Sequence, residues 1–193
     1  MNPEISAVPV PLPWGARVNS RVDLRIDYEN GGADLSVASN SSAFEWTAVT
    51  DGSVVLVSRE GVAPVTVLSD TDITEVNLAF DQTMNPHIAY VAGGVAKWRY
   101  WDTLTSSYQT MTLTDCRTPR CCSDEKTPEF SSDRDIVLAY LREDKLYLRL
   151  QRDRFTVEYE KVPEEETHEP LTETTRLITV AMNTGRRLQW RFQ

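Results

Sequence analysis

Apolar and polar residues alternate singly along much of this chain. Val22, Leu24, Ile26 and Tyr28 are separated by Asp23, Arg25 and Asp27. A period of two describes a β-strand buried on one face. Asn30-Gly31-Gly32 then supplies the positive φ of a tight turn, and Leu35 and Val37 begin the return. The same grammar predicts strands over 44–50, 54–59, 62–68, 76–80, 87–91, 96–101, 108–113, 136–141, 145–150, 155–161, 177–182 and 187–192. Turns fall at Asp51-Gly52, Glu60-Gly61, Asp81 to Pro86, Gly93-Gly94, Arg142 to Asp144 and Asn183-Thr184-Gly185. Val, Thr, Ile, Tyr and Trp dominate the strands, as a pleated surface favours. No window carries a capped helical stripe. The fold class expected is all-β.

Three stretches break the rhythm. Pro3, Pro9, Pro11 and Pro13 make residues 1–20 an extended arm, with Val8, Val10, Leu12 and Trp14 as anchors for a neighbouring subunit. Cys116 to Arg134, with Pro119 and Pro128, reads as a polar loop. Residues 163–175 carry Glu164, Glu165, Glu166, Glu169 and Glu173, whose mutual repulsion implies an extended, solvated linker. The expected organisation is therefore an arm over 1–20, a β-repeat domain over 21–162, the acidic linker, and a C-terminal hairpin over 176–193.

Several hairpins look like copies. Ala89-Tyr90-Val91, a Gly93-Gly94 turn and Trp98-Arg99-Tyr100 read against Ala139-Tyr140-Leu141, Glu143-Asp144 and Leu148-Arg149-Leu150, about 50 residues later. Val57, Gly61 and Val65 form a weaker copy, and Val180, Gly185, Leu188 and Trp190 a last one. A period of roughly 40–50 residues suits propeller-like blades. One twisted hairpin sheet cannot bury both its faces, so repeats stack. Too few units are present for a closed propeller of about four to eight blades. The expectation is a propeller-like or sandwich-like stack that neighbouring chains complete.

Composition narrows the function. The 193 residues carry a net charge of −9, unlike the cationic surface a general nucleic-acid binder needs. Arg149, Arg152 and Arg154, and Arg186, Arg187 and Arg191, are expected on solvated strand edges and turns. No run approaches the roughly 18 apolar residues of a membrane helix. The opening Met1-Asn2-Pro3-Glu4 shows no basic region leading into an apolar one, so no secretion signal and no membrane partner are expected. Three cysteines, an odd number, fit free thiols in a reducing compartment.

Catalytic chemistry finds no motif. His87 and His168 are the only histidines, and neither sits in a nucleophile signature. Cys116, Cys121, Cys122 and His168 are weak zinc candidates, since adjacent Cys121 and Cys122 are ill placed to ligate one ion. Asp70-Thr71-Asp72 and Asp133-Arg134-Asp135 lack the spacing of a calcium loop and read as turn formers. Repeated sialidase-type boxes and Gly-rich phosphate loops are absent from the sequence. No cofactor and no enzymatic activity are expected. Trp98, Tyr100, Trp101 and Tyr108 are the binding candidates, for assembly or for a glycan. By period two, Trp98 and Tyr100 share a face that packs between sheets, while Trp101 points the other way.

Two longer phrases carry a resemblance. The stretch Asn77 to Gln82, Asn85 to Tyr90 and Trp98 to Asp102 resembles propeller-like blades of virion structural proteins of tailed bacteriophages. The hairpin from Asp135 to Leu150, followed by Gln151-Arg152-Asp153-Arg154, and the ending Met182 to Phe192 are similar to segments of the same group. Together the matching phrases span 75–193. The resemblance implies a non-enzymatic component of a tail tip, nozzle, collar or fibre-attachment ring, assembled in the host cytoplasm. Its partners would be other virion proteins and copies of itself in a ring. The alternative is a carbohydrate- or receptor-binding β module recognising a host surface glycan. A hydrolase on a propeller scaffold is the weakest reading.

Overall fold

A computed structural model describes residues 18–23, 43–59, 62–81, 85–123, 136–161, 171–182 and 188–193. Trp14, His168, the expected strand over 22–28 beyond Asp23, its Asn30-Gly31-Gly32 turn and the return at Leu35 and Val37 lie outside them. The described residues form fourteen strands: β1 (Val18–Asp23), β2 (Ala43–Thr50), β3 (Val54–Arg59), β4 (Val65–Ser69), β5 (Ile73–Phe80), β6 (Pro86–Ala92), β7 (Val95–Asp102), β8 (Ser107–Leu113), β9 (Cys116–Ser123), β10 (Ile136–Arg142), β11 (Lys145–Leu150), β12 (Tyr159–Lys161), β13 (Leu177–Met182) and β14 (Leu188–Phe192). The only helical turn among the described residues is a short 3-10 segment, Gln151–Asp153. The protein is all-β.

The strands form four antiparallel sheets in simple chain order, none closed into a barrel. The first sheet is β1-β2-β3-β4, the second β5-β6-β7-β8, the third β9-β10-β11-β12, and the fourth β13-β14. Turn chemistry explains the hairpins. Gly93 and Gly94 hold φ of 56° and 75°, the pair of positive values that a two-residue hairpin turn demands. At the first hairpin Asp51 Oδ1 accepts from the backbone N–H groups of Ser53 and Val54, and Gly52 takes φ of 99°.

Each interface between consecutive sheets holds its own core. Ala48, Val55, Val57 and Leu68 of the first sheet meet Val76, Leu78, Ile88 and Tyr90 of the second. Ala89, Ala96 and Trp98 meet Ile136, Leu138 and Tyr140 of the third. Val137, Ala139, Leu141, Leu146 and Leu148 meet Leu177 and Val180 of the fourth. A strand in the middle of this stack is buried on both faces. β10 is accordingly apolar and buried without interruption from Ile136 to Leu141. Each fully buried aliphatic side chain is worth about 1.5–3 kcal/mol, so the stack stabilises hairpins that alone would be marginal.

The repeat is real at the level of pairing, with a phase that differs from the sequence reading. In the second, third and fourth sheets the first strand carries one extra residue opposite the end of the second strand. The shifts lie opposite Ala92 and Val91, between Ala139 and Leu141, and opposite Phe192 and Arg191. Each bulge lies toward the end of the second strand, though not opposite the same residue. The Val57–Val65 hairpin is β3-β4, the third and fourth strands of its sheet, whereas Ala89–Tyr100 is β6-β7, the second and third. The counterpart of Ala89–Tyr100 in the first sheet is β2-β3.

Three expectations need correction. Residues 116–123 are strand β9, not a polar loop. The strand expected over 155–161 is reduced to Tyr159–Lys161, after a 3-10 turn at Gln151–Asp153 and a tight bend at Arg154 and Phe155. The strand expected from Val62 begins at Val65.

Candidate functional site

The chemistry-bearing side chains converge on the seams between sheets, and β9 organises them. It packs on β5, β6 and β7 on one side and on β13 on the other. Its sequence, Cys-Arg-Thr-Pro-Arg-Cys-Cys-Ser, supplies polar groups to both neighbours. Asn77 of β5 is buried, and its Oδ1 accepts the backbone N–H of Cys121 at 2.5 Å. The guanidinium of Arg120 is nearly buried; it donates to Glu75 Oε2 at 3.0 Å and to the carbonyl of Ile178 at 3.0 Å. Arg176 closes the same group by donating to the other oxygen of Glu75. Arg117 donates to the carbonyls of Thr172 and Thr175, and Thr118 Oγ1 accepts the N–H of Leu177. The described end of the acidic linker, residues 171–175, is thus tied to β9 through backbone carbonyls, while Thr172, Glu173 and Thr174 remain exposed.

A second fastening joins β7 to the bend after β11. Arg154 and Phe155 adopt consecutive left-handed conformations, φ 53° and 58°, which cost side-chain-bearing residues energy. The bend drives Phe155 into a ring cluster with Trp98 (5.3 Å between centroids), Tyr100 (5.0 Å) and His87 (6.2 Å). Arg154 meanwhile pairs with Asp102 at 3.0 Å. Arg149 holds the bend by donating to the Phe155 carbonyl at 2.7 Å and to Tyr140 Oη at 2.8 Å. Glu158 receives Tyr140 Oη and the guanidinium groups of Arg142 and Arg149. Burial alone would raise the Glu158 carboxyl, but those donors hold it below its ordinary value. Arg149 is therefore a packed, bonded residue and not a solvated edge, whereas Arg152 and Arg154 are exposed, Arg154 with its head on Asp102.

His87 is completely buried at the same seam. Its Nε2 lies 3.2 Å from Asp81 Oδ2, and its Nδ1 has no partner. Burial lowers its basicity, opposed by the hydrogen bond and charge of Asp81. A histidine–carboxylate pair here faces the Trp98 and Phe155 rings.

The sequence-nominated aromatics divide between two faces. Trp98 and Tyr100 stack with a 13° tilt inside the second seam, and Trp98 is fully buried. Trp101 and Tyr108 meet edge-on at 5.1 Å on the opposite face, half-exposed. Arg99 lies over the Tyr108 ring at 4.6 Å, so that ring face is occupied. Burial, with the nearby Asp81 charge, pushes the Tyr108 hydroxyl up to about 12. The four rings form no single groove.

The cysteines do not converge. Cys116 pairs across from Arg142, Cys121 from Leu138 and Cys122 from Val137. Neighbours on a strand point to opposite faces: Cys121 enters the core toward the second sheet and Cys122 the core toward the fourth. None of the three is in a disulfide. Burial pushes the Cys116 thiol up to about 11 and raises that of Cys121 further. Among the described residues no group of three or more His, Cys, Asp or Glu is placed to hold a metal ion. No described helix is long and apolar enough to cross a membrane.

Glu75, Asn77, Arg117, Arg120 and Phe155 escaped the sequence reading. Their partners lie tens of residues away, so no local spacing marks them. The one available signal was the density of donors in 116–123 beside two proline-marked breaks. No protein-family model, curated protein or solved structure matches the chain.

Proposed function

We propose that this chain is a non-enzymatic structural subunit of a tailed-phage virion, part of a tail tip, nozzle, collar or fibre-attachment ring. Its sheets would be blades of a propeller-like stack. The observation that carries the reading is where the polar and aromatic groups go. Asn77, Arg120, Glu75, Arg154, Asp102, Trp98 and Phe155 are all spent on holding one sheet to the next. Apolar side chains are left exposed instead on outer strands and turns, among them Val62, Val65, Val157 and Tyr159. Sheets stacked in this way work through surfaces rather than a pocket. The phage-like phrases at 77–102 and 135–154 fall on β5 to β7 and on the β10-β11 hairpin with its fastening bend. Mass spectrometry of purified particles, with electron microscopy tracing this chain in them, tests the reading; absence from the particle ends it.

A glycan-binding role is favoured by one feature only, the half-exposed Trp101 beside Tyr108. Glycan-array binding that Trp101→Ala abolishes would support it, and binding that the substitution leaves unchanged would remove the site.

A further inference from the structure

Resting on the glycan reading given above as the second role, we infer that the face around Trp101 takes an acidic sugar, its carboxylate bound by Arg99 and its ring laid on Trp101. The core between the first and second sheets draws on β5 and β6 and includes no residue of β7 or β8. The register sets Arg99 and Lys97 beside Ile88 and Tyr90, two members of that core, so these four residues share one face. Across from Lys97, Arg99 and Trp101, that face continues onto β8 as Thr112, Thr110 and Tyr108. Both threonines are exposed, and Arg99, Trp101 and Tyr108 are partly so. The β7-β8 half of the face is thus a ledge beside the first sheet.

The arginines single out one residue on that ledge. The chain has 29 acidic side chains against 20 basic ones, and Arg120, Arg142, Arg149, Arg154 and Arg176 each hold a carboxylate. Arg117 bonds the carbonyls of Thr172 and Thr175. Arg99 differs. Its guanidinium carbon lies 4.6 Å from the centre of the Tyr108 ring, and among the described residues no oxygen accepts from it. Yet it is partly buried, where a cation without an acceptor is costly. The acids nearby are already engaged. Asp70 holds Lys97 at 2.7 Å, and Asp81, whose charge reaches Tyr108, is bound to His87 and Asn85.

Stacking on Tyr108 orients the planar guanidinium and leaves its N–H groups for a ligand. A carboxylate matches that fork with two parallel hydrogen bonds. Residues two apart on a strand lie about 7 Å from each other. A pyranose whose carboxylate sits on Arg99 therefore reaches Trp101 with a C–H face, the contact an aromatic ring favours. Thr110, directly across from Arg99, offers its hydroxyl to the sugar's own. The ledge measures about 10 Å by about 20 Å, well short of the roughly 800 Å² that a protein partner takes up. A saccharide is favoured over an acidic polypeptide on that ground.

The test titrates the full chain by calorimetry with matched probes: the methyl glycosides of glucuronic acid and glucose, and sialyllactose with lactose. The acidic member of each pair should bind about tenfold tighter. Arg99→Gln should bring the acidic probes down to the affinity of the neutral ones and leave the neutral ones unchanged. Arg99→Lys should restore part of the preference, and Trp101→Ala should weaken all four. Thermal melting confirms that each variant is folded. Equal binding of acidic and neutral probes, lost in Trp101→Ala, overturns the inference and leaves the glycan reading standing. An acidic preference that survives Arg99→Gln overturns it as well, as does tighter binding of glucose phosphate or of a triglutamate peptide. Failure of all four probes also overturns it, and the glycan reading falls too only where a glycan array is silent.

Discussion

The side-chain oxygen of Asn77 on β5 accepts the backbone N–H of Cys121 on β9 at 2.5 Å, and this one bond fixes how the second sheet meets the third. Both residues are buried. An outer strand that stays in its own ladder and bonds a neighbouring sheet's side chain from its free edge sets the depth at which the two sheets dock.

Asn77→Ala should destabilise the protein by about 1–3 kcal/mol, because it leaves a buried N–H without a partner. The control is Gln109→Ala, which removes only hydrogen bonds to Thr105 and Ser107 at the edge of the second sheet; it should shift stability by no more than about 0.5 kcal/mol. Denaturant titration of both variants decides. Equal midpoints for the two would show that the seam does not depend on Asn77.

Acid should loosen the same seam through His87. Burial lowers its pKa from the ordinary 6.5, more than Asp81 raises it. Between that lowered value and 6.5 the unfolded chain binds a proton that the folded one does not. Stability therefore rises with pH through this window and is fully present above about 6.5. The thermal midpoint should fall between about pH 7.5 and about pH 5.5, where few carboxylates titrate. His87→Gln should be less stable at the higher pH and flatter across the range. His168 is common to both proteins and cancels in the comparison. Parallel pH curves would rule His87 out as the source.

The hairpins were legible because their physics is local. Gly93-Gly94 and Asp51-Gly52 set the turns, and β7 alternates Trp98 and Tyr100 against Arg99 and Trp101. The unbroken apolar run Ile136 to Leu141 also foretold a strand, though its two-sided burial appears only once sheets flank it. β9 was illegible for the opposite reason. Pro119 and two arginines argue for a loop until Arg120 finds Glu75 and Ile178, and Arg117 finds Thr172 and Thr175. Pro119 is tolerated because it sits in the bulge, where the ladder is already interrupted. Phe155 failed similarly, since a β-favouring Phe-Thr-Val run says nothing of two left-handed residues fastened by Arg149 and Asp102.

Thiol chemistry should report the seams directly. Cys121 is buried with a strongly raised pKa, and Cys116 is half-buried with its thiol pushed up to about 11. The thiolate is the reactive form. At neutral pH Cys116 should alkylate far more slowly than a free thiol, and Cys121 only as fast as the protein opens. Peptide mass mapping under native and denaturing conditions separates them. Prompt native labelling of Cys121 would contradict its place in the core.

The last prediction concerns a turn where two equivalent hairpins differ by one residue. Gly93 opens the β6-β7 turn with φ of 56°; Glu143 opens the β10-β11 turn with φ of 54°. Glycine adopts that conformation at no steric cost, whereas a side chain there costs about 1–2 kcal/mol. Glu143 is exposed, and no hydrogen bond or ion pair of its side chain offsets the strain. Glu143→Gly should therefore stabilise the protein by about 1 kcal/mol, raising the Tm by about 2–4 °C for a chain of this length. Asp144, next in the turn, does not take a positive φ. Asp144→Gly should lose stability through added freedom in the unfolded chain. Calorimetry on the pair reads the difference, and a Tm for Glu143→Gly at or below that of the parent would mean the strain is relieved elsewhere.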